Sequence, residues 1–195
     1  MRNKQHLSSL PETSVIENVY KDLYYRKRFL DAVRSTVFML IVVAAFSVLV
    51  SMLFLPILRI YGKSMKGTLN SGEVVMAVKT NKLHIGDVVA FYYNNNILVK
   101  RVIATSGDWV DIDHDGNVYV NEKKIKEAPH VKKAYGKTNI KLPYQVPEDR
   151  IFVMGDNRKV SIDSRNKSVG TVATDQIVGR LSLKVWPLSK IGTVQ

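Results

Sequence analysis

The 195-residue chain has no cysteine. That excludes disulfides and thiolate metal sites alike. The lack suits a domain outside the cytoplasm that does without disulfides, and it suits an intracellular one equally. Internal repeats are also absent. The net charge of +12 comes without a basic helix or stripe, since the lysines and arginines are spread through the chain. Nucleic acid is therefore the weaker reading, and an anionic membrane or wall surface the stronger one. Charge of either sign is missing from Ser35 to Leu58, 24 residues closed by Arg34 and Arg59. A helix rises ~1.5 Å per residue and a bilayer core is ~30 Å thick, so this run is long enough to span.

A cleaved leader would have a shorter apolar core, a short basic lead-in and a small-residue cleavage site. Here 34 residues come first and the run ends Leu53-Phe54-Leu55-Pro56-Ile57-Leu58, so an uncleaved anchor is expected. Lys21, Arg26, Lys27, Arg28 and Arg34 precede it, and Arg59, Lys63 and Lys66 follow it. That bias orients the N-terminus to the cytoplasm and the remainder outside. Three regions result: a tail at 1–34, an anchor at 35–58 and an extracytoplasmic domain at 59–195. The last has 137 residues, enough for one core. Within the tail, Met1 to Thr13 is polar and is expected to be disordered. Ser14 and Glu17 have capping-box spacing, and Ile16, Val19, Leu23, Leu30 and Val33 recur at helical spacing. A helix lying at the membrane interface and one running on into the span fit this pattern equally.

After Arg59 the period changes. β-Branched runs at Glu73–Val78, Val88–Tyr93, Ile97–Ala104, Trp109–Asp113, Val118–Val120, Ile151–Met154 and Leu181–Val185 predict strands. Turn residues such as Ser71-Gly72, Gly86-Asp87 and Asp115-Gly116 separate them. Many short strands argue a mainly β, barrel-like domain. Residues 122–149 are polar and irregular, and about 109–150 reads as an inserted cap over one face.

Asp111, Asp113, Asp115, Gly116 and Glu122 match the spacing of a calcium loop. The flanks alternate like strands and Asp115-Gly116 is a hairpin signal, so no metal is expected. Ser64 follows the apolar run by six residues and would need a base to become a nucleophile. His6 is in the tail, and His84, His114 and His130 lie in polar turn-like stretches, poor settings for a buried base. Lys100 sits beside Arg101 in a strand, so one of the two must face the apolar side. Burial lowers a lysine's pKa and makes it a base near neutrality. On composition alone the blander reading prevails, with Lys100 snorkelling out at an edge. A third cluster, Gly155-Asp156-Asn157-Arg158 to Ser161-Ile162-Asp163-Ser164-Arg165, holds more directional polar groups than a surface turn needs.

Four segments in order resemble the conserved boxes of bacterial type I signal peptidases, membrane-anchored Ser/Lys endopeptidases of the short Gram-positive kind. They are Gly62-Lys63-Ser64-Met65-Lys66-Gly67-Thr68-Leu69, Gly86 to Phe91, Leu98 to Asp108, and the cluster from Gly155 to Arg165. The resemblance reverses the blander reading of Lys100. It implies Ser64 as nucleophile and Lys100 as base, with Ser161 orienting the amine and Asp163–Arg165 as a structural pair. The oxyanion would lie on the Ser64 N–H in the Gly62 region, where some relatives add a hydroxyl that glycine lacks. Ile60, Met65, Leu69 and Val99 would line shallow pockets for small side chains. The implied fold is the one shared with self-cleaving repressors, with no cofactor. The implied partners are preproteins with signal peptides and membrane lipid, not nucleic acid. A non-catalytic pilus or surface-protein assembly factor of the same fold is the alternative. Two departures stand out: Gly67 where the family usually has proline, and Ala104 where it usually has glycine.

Overall fold

The computed structural model describes residues 13–80 and 82–194. His6 and the rest of the segment expected to be disordered, Met1 to Thr13, lie outside these residues, apart from Thr13. The chain divides into two units, residues 1–50 and 51–195.

The described residues of the first unit are helical. One unbroken helix, α1, runs Thr13–Phe54. At ~1.5 Å per residue it is about 63 Å long. By length and composition it can cross a membrane. Of the two expectations for residues 16–33, the continuous helix is observed. It starts at Thr13, so Ser14 lies inside the helix and not at a cap, and Glu17 pairs with Lys21 at 2.8 Å one turn on. The helix stops before the apolar run does. Pro56 cannot continue it and disfavours helical backbone at Leu55. Ile57 and Leu58, taken above as the end of the span, are strand residues instead.

The second unit is mainly β, as expected. Its strands are β1 (Ile57–Arg59), β2 (Val74–Val78), β3 (Val88–Tyr93), β4 (Asn96–Ala104), β5 (Trp109–Ile112), β6 (Val118–Val120), β7 (Lys123–Lys124), β8 (Tyr144–Gln145), β9 (Arg150–Met154), β10 (Val172–Ala173), β11 (Ile177–Trp186) and β12 (Gly192–Thr193). The larger sheet has the order β1-β2-β11-β3-β4-β9-β10, with β12 also paired to β11. All its ladders are antiparallel, and register shifts along β11 and between β4 and β9 bend it. The smaller sheet, β7-β6-β5-β8, falls within the cap expected over 109–150.

Two clusters position the site. Ile60, Met65, Leu69, Val75, Ala77, Val88, Ala90 and Leu181 form one core beneath the segment between β1 and β2. A second core joins Val110, Ile112, Val118 and Val120 of the smaller sheet to Ile103 and Ala104 of β4 and to Phe152 and Met154 of β9. The smaller sheet thus packs on the same two strands that carry Lys100 and lead into Gly155. The stretch from Asp113 to Asn117 joins β5 to β6 with strand on both sides, not the helices a calcium loop requires. Asp113 turns inward on that hairpin, accepting bonds from the Asn117 main chain and side chain at 2.8 Å each.

Candidate active site

β4 alternates, and the alternation separates Lys100 from Arg101. Lys100 pairs with Val89 of β3, is only 3% exposed, and turns toward Ser64. Its Nζ lies 2.8 Å from Ser64 Oγ and 3.2 Å from the Val99 carbonyl oxygen. Burial disfavours the ammonium and pushes the amine down to about 8; the nearby Asp163 carboxylate opposes that shift, and the Arg165 charge adds to it. Arg101 faces the other way. It clamps Asp156 with two bonds of 2.8 Å and also reaches the Gly86 carbonyl and Thr68 Oγ1. His84 pairs with Asp87, His114 stacks near Tyr135, and His130 meets Thr68. None of these three contacts Ser64.

Ser64 sits in a tight turn between β1 and β2, closed by Lys66 N–H to Lys63 O, Thr68 N–H to Met65 O and Leu69 N–H to Met65 O. Met65 and Leu69 anchor the turn in the core below. The Ser64 carbonyl accepts the Asn157 N–H at 2.9 Å. Gly155 makes this approach feasible: a Cβ there would stand 2.7 Å from Ser64 O and 2.3 Å from Ser161 Oγ. No side chain larger than hydrogen fits.

The loop after β9 is held by ion pairs. Arg165 donates Nε to Asp163 Oδ1 at 2.8 Å and a second nitrogen to Oδ2 at 2.9 Å, with both residues 1% exposed. Burial alone would raise the Asp163 carboxyl; the Arg165 bonds and charge and the Gly155 N–H outweigh it and hold it below the usual carboxylate range. Arg165 also ties down the cap through the Ala134 and Tyr135 carbonyls, 3.1 Å each. Arg158, fully buried, pairs with Glu127 of the cap.

Ser161 departs from its expected role. Its Oγ is buried and has no hydrogen-bond partner, so nothing ties it to the Lys100 amine. It stands close enough to Asp163 to help keep that carboxyl low, yet outside bonding geometry.

Ser64 and Lys100 open into a groove of about 970 Å³. Ile60, Met65 and Val99 line it as expected, while Leu69 does not and belongs wholly to the core. Its anchoring contacts in the turn leave it no face to offer. Leu98, Val160 and Ile162 add apolar wall that sequence reasoning missed. Val160 and Ile162 lie in a loop with no period to read. Gly62 also borders the groove, and its φ of +90° suits glycine. Gly67 has a φ of +119°, which proline cannot adopt, so the turn after Ser64 differs in backbone from one carrying proline. No group of three or more histidine, aspartate or glutamate residues among the described residues could hold a metal ion.

A family model described as signal peptidase, peptidase S26, matches residues 32–186. The chain belongs to the signal peptidase family, peptidase S26. It is 37% identical over 159 residues to signal peptidase IB of Staphylococcus aureus, covering 67% of this chain and 78% of the relative. It is 35% identical over 170 residues to the chloroplastic thylakoidal processing peptidase 1 of Arabidopsis thaliana, covering 76% of this chain. The chain spans about half the length of that plant relative, 48%. The crystal structure of a signal peptidase I from Enterococcus faecalis aligns over 52% of this chain and 97% of that one, with TM-score 0.44 and 27% identity. A signal peptidase homologue that keeps serine-peptidase hydrolysis is the reading this membership carries, and the non-catalytic assembly factor is not favoured.

Proposed function

We propose that this chain removes signal peptides from preproteins at a membrane surface, with Ser64 as nucleophile and Lys100 as general base. The observation that carries the reading is the 2.8 Å contact between Ser64 Oγ and a lysine amine lowered by burial. A neutral amine has a lone pair to take the Ser64 proton, and the freed alkoxide attacks the scissile carbonyl. The protonated amine then returns its proton to the leaving nitrogen, and water hydrolyses the acyl-enzyme by the same route in reverse. The Ser64 N–H supplies one oxyanion donor. The apolar walls at Ile60, Met65 and Val99 line the groove beside Ser64, and shallow apolar pockets there would favour small side chains before the cut. Asp163 and Arg165 hold the loop that seats the Ser64 carbonyl. An active-site serine probe should label the wild type and not Ser64→Ala, and only the wild type should cleave a synthetic signal peptide in detergent. Labelling of Ser64→Ala would point to another serine.

The anchor is proposed as a single span within α1, with the N-terminus in the cytoplasm and residues 59–195 outside. The excess of basic residues before Arg34 supports that orientation. Protease added to intact protoplasts should digest the β domain and spare the N-terminal tail. A protected β domain would reverse the orientation.

A further inference from the structure

The cap touches the nucleophile turn at one side chain that the proposed chemistry does not use. His130 Nε2 lies 2.8 Å from Thr68 Oγ1. That hydroxyl has one proton and two lone pairs. It gives the proton to the Asp156 carboxylate and accepts an Arg101 N–H at 3.0 Å. One lone pair remains, so His130 must donate its Nε2–H. Asp156 is fully buried and the Arg101 side chain is 12% exposed, which leaves the Thr68 hydroxyl little freedom to turn elsewhere.

His130 also packs its main chain on the turn. A Cβ at position 67 would stand 3.0 Å from the His130 carbonyl oxygen and 3.3 Å from its Cβ. Two residues on, Lys132 N–H donates to the Asp156 carbonyl at 2.9 Å and Lys132 O accepts from Arg158. Between those, Asn157 holds the Ser64 carbonyl through its N–H and Lys63 O through its side chain at 3.2 Å. One cap segment, His130 to Lys132, therefore meets the Ser64 turn directly at Gly67 and Thr68 and pairs with the loop whose Asn157 holds the Lys63–Ser64 end.

We propose that His130 is a positioning residue for Ser64: its Nε2–H fixes the Thr68 hydroxyl, and its main chain closes over Gly67. The inference rests on the reading of Ser64 as nucleophile. His130 touches no reacting atom. Losing it loosens the turn and leaves the groove walls as they are.

The test uses the full chain in detergent and steady-state cleavage of a signal-peptide substrate. His130→Phe keeps volume and removes the donor. It should lower kcat about tenfold or more, since small displacements of a reacting atom carry costs of that size. KM should stay unchanged, because the groove is intact. His130→Gln places an N–H at comparable reach and should recover most of the lost kcat. Thr68→Val breaks the contact from the other side, and the double variant should be no slower than the slower single one. A wild-type kcat in His130→Phe, a loss carried by KM, or a His130→Gln no better than the phenylalanine variant each overturns the proposal. Should His130→Phe fail to fold, Thr68→Val decides, and a wild-type kcat there is fatal. Ser64→Ala run alongside separates the two readings. Residual cleavage in it sinks Ser64 as nucleophile, whereas a dead Ser64→Ala beside a fully active His130→Phe sinks only His130.

Discussion

Lys100→Arg should fold and bind a signal peptide, yet cleave it at a rate near background. Arginine fits the strand and keeps the charge, but a guanidinium is effectively never deprotonated, so no lone pair faces Ser64 Oγ. Lys100→Ala and Ser64→Ala should be equally inactive, since two groups that act as a unit do not lose rate additively. In the wild type, kcat/KM should rise with pH through about 8, as the Lys100 amine becomes neutral. Activity in Lys100→Arg within about tenfold of wild type would remove the lysine base. The same burial has a stability signature. Below pH 8 the folded and unfolded chains both hold the proton, and folding bears the full cost of a buried ammonium. Between about 8 and 10.5 the folded state has released the proton and the unfolded state has not, so stability rises with pH. The rise is at most roughly 3–4 kcal/mol, from about 1.4 kcal/mol per pKa unit over the window from about 8 to 10.5. Lys100→Met should lack that rise and be the more stable protein at neutral pH, as urea unfolding across this window would report.

What the sequence carried was periodic. Val88–Tyr93 and Val118–Val120 are bounded in the structure as their β-branched and aromatic runs indicate. Strand β11 was seen only in part, as Leu181–Val185, because Gly179 and Arg180 interrupt the apolar signal. In the fold it runs Ile177–Trp186 and bonds β2, β3 and β12, so neighbours, not propensity, set its length. Strands β7, β8, β10 and β12 have two residues each, too few to show any period. The end of the apolar run was overextended because hydropathy does not distinguish a helix end from the first strand of a β domain. Pro56 does.

At the site, residue types in a motif were legible and their partners were not. Ser64 and Lys100 stand 36 positions apart and meet because β4 directs Lys100 inward. Thr68 and His130 stand 62 apart and Thr68 and Asp156 88 apart. His130 was set aside as a histidine in a polar stretch, and that local reading could not see the turn it lies on. Leu69 was assigned to the groove by motif position, but the turn hydrogen bonds direct it into the core. Ser161 was assigned to the Lys100 amine, but its buried hydroxyl has no hydrogen-bond partner and stands against Gly155.

The other large effect should come from Asp163→Asn. The carboxylate accepts from Arg165 Nε at 2.8 Å, a second Arg165 nitrogen at 2.9 Å and the Gly155 N–H at 2.9 Å, with the Arg165 main-chain N–H at 3.3 Å. Asparagine offers one oxygen, so donors on one side face an NH₂ group, and the Arg165 charge stays buried without its counter-ion. Breaking one side of a buried pair costs about 3–5 kcal/mol. Urea unfolding at neutral pH should show a loss of that order, and cleavage should fall with it, since this loop seats the Ser64 carbonyl. The sign with pH follows from the depressed carboxyl. Its stabilisation is present above the ordinary aspartate value and is lost as pH falls through the lower folded-state value. The gap between wild type and Asp163→Asn should therefore be full at neutral pH and narrow only in strong acid. Asp163→Asn combined with Arg165→Met removes the orphaned charge and should be less unstable than the two single losses summed. Strict additivity in that cycle, or a single-variant loss below about 1 kcal/mol, would mean the pair does not hold the loop.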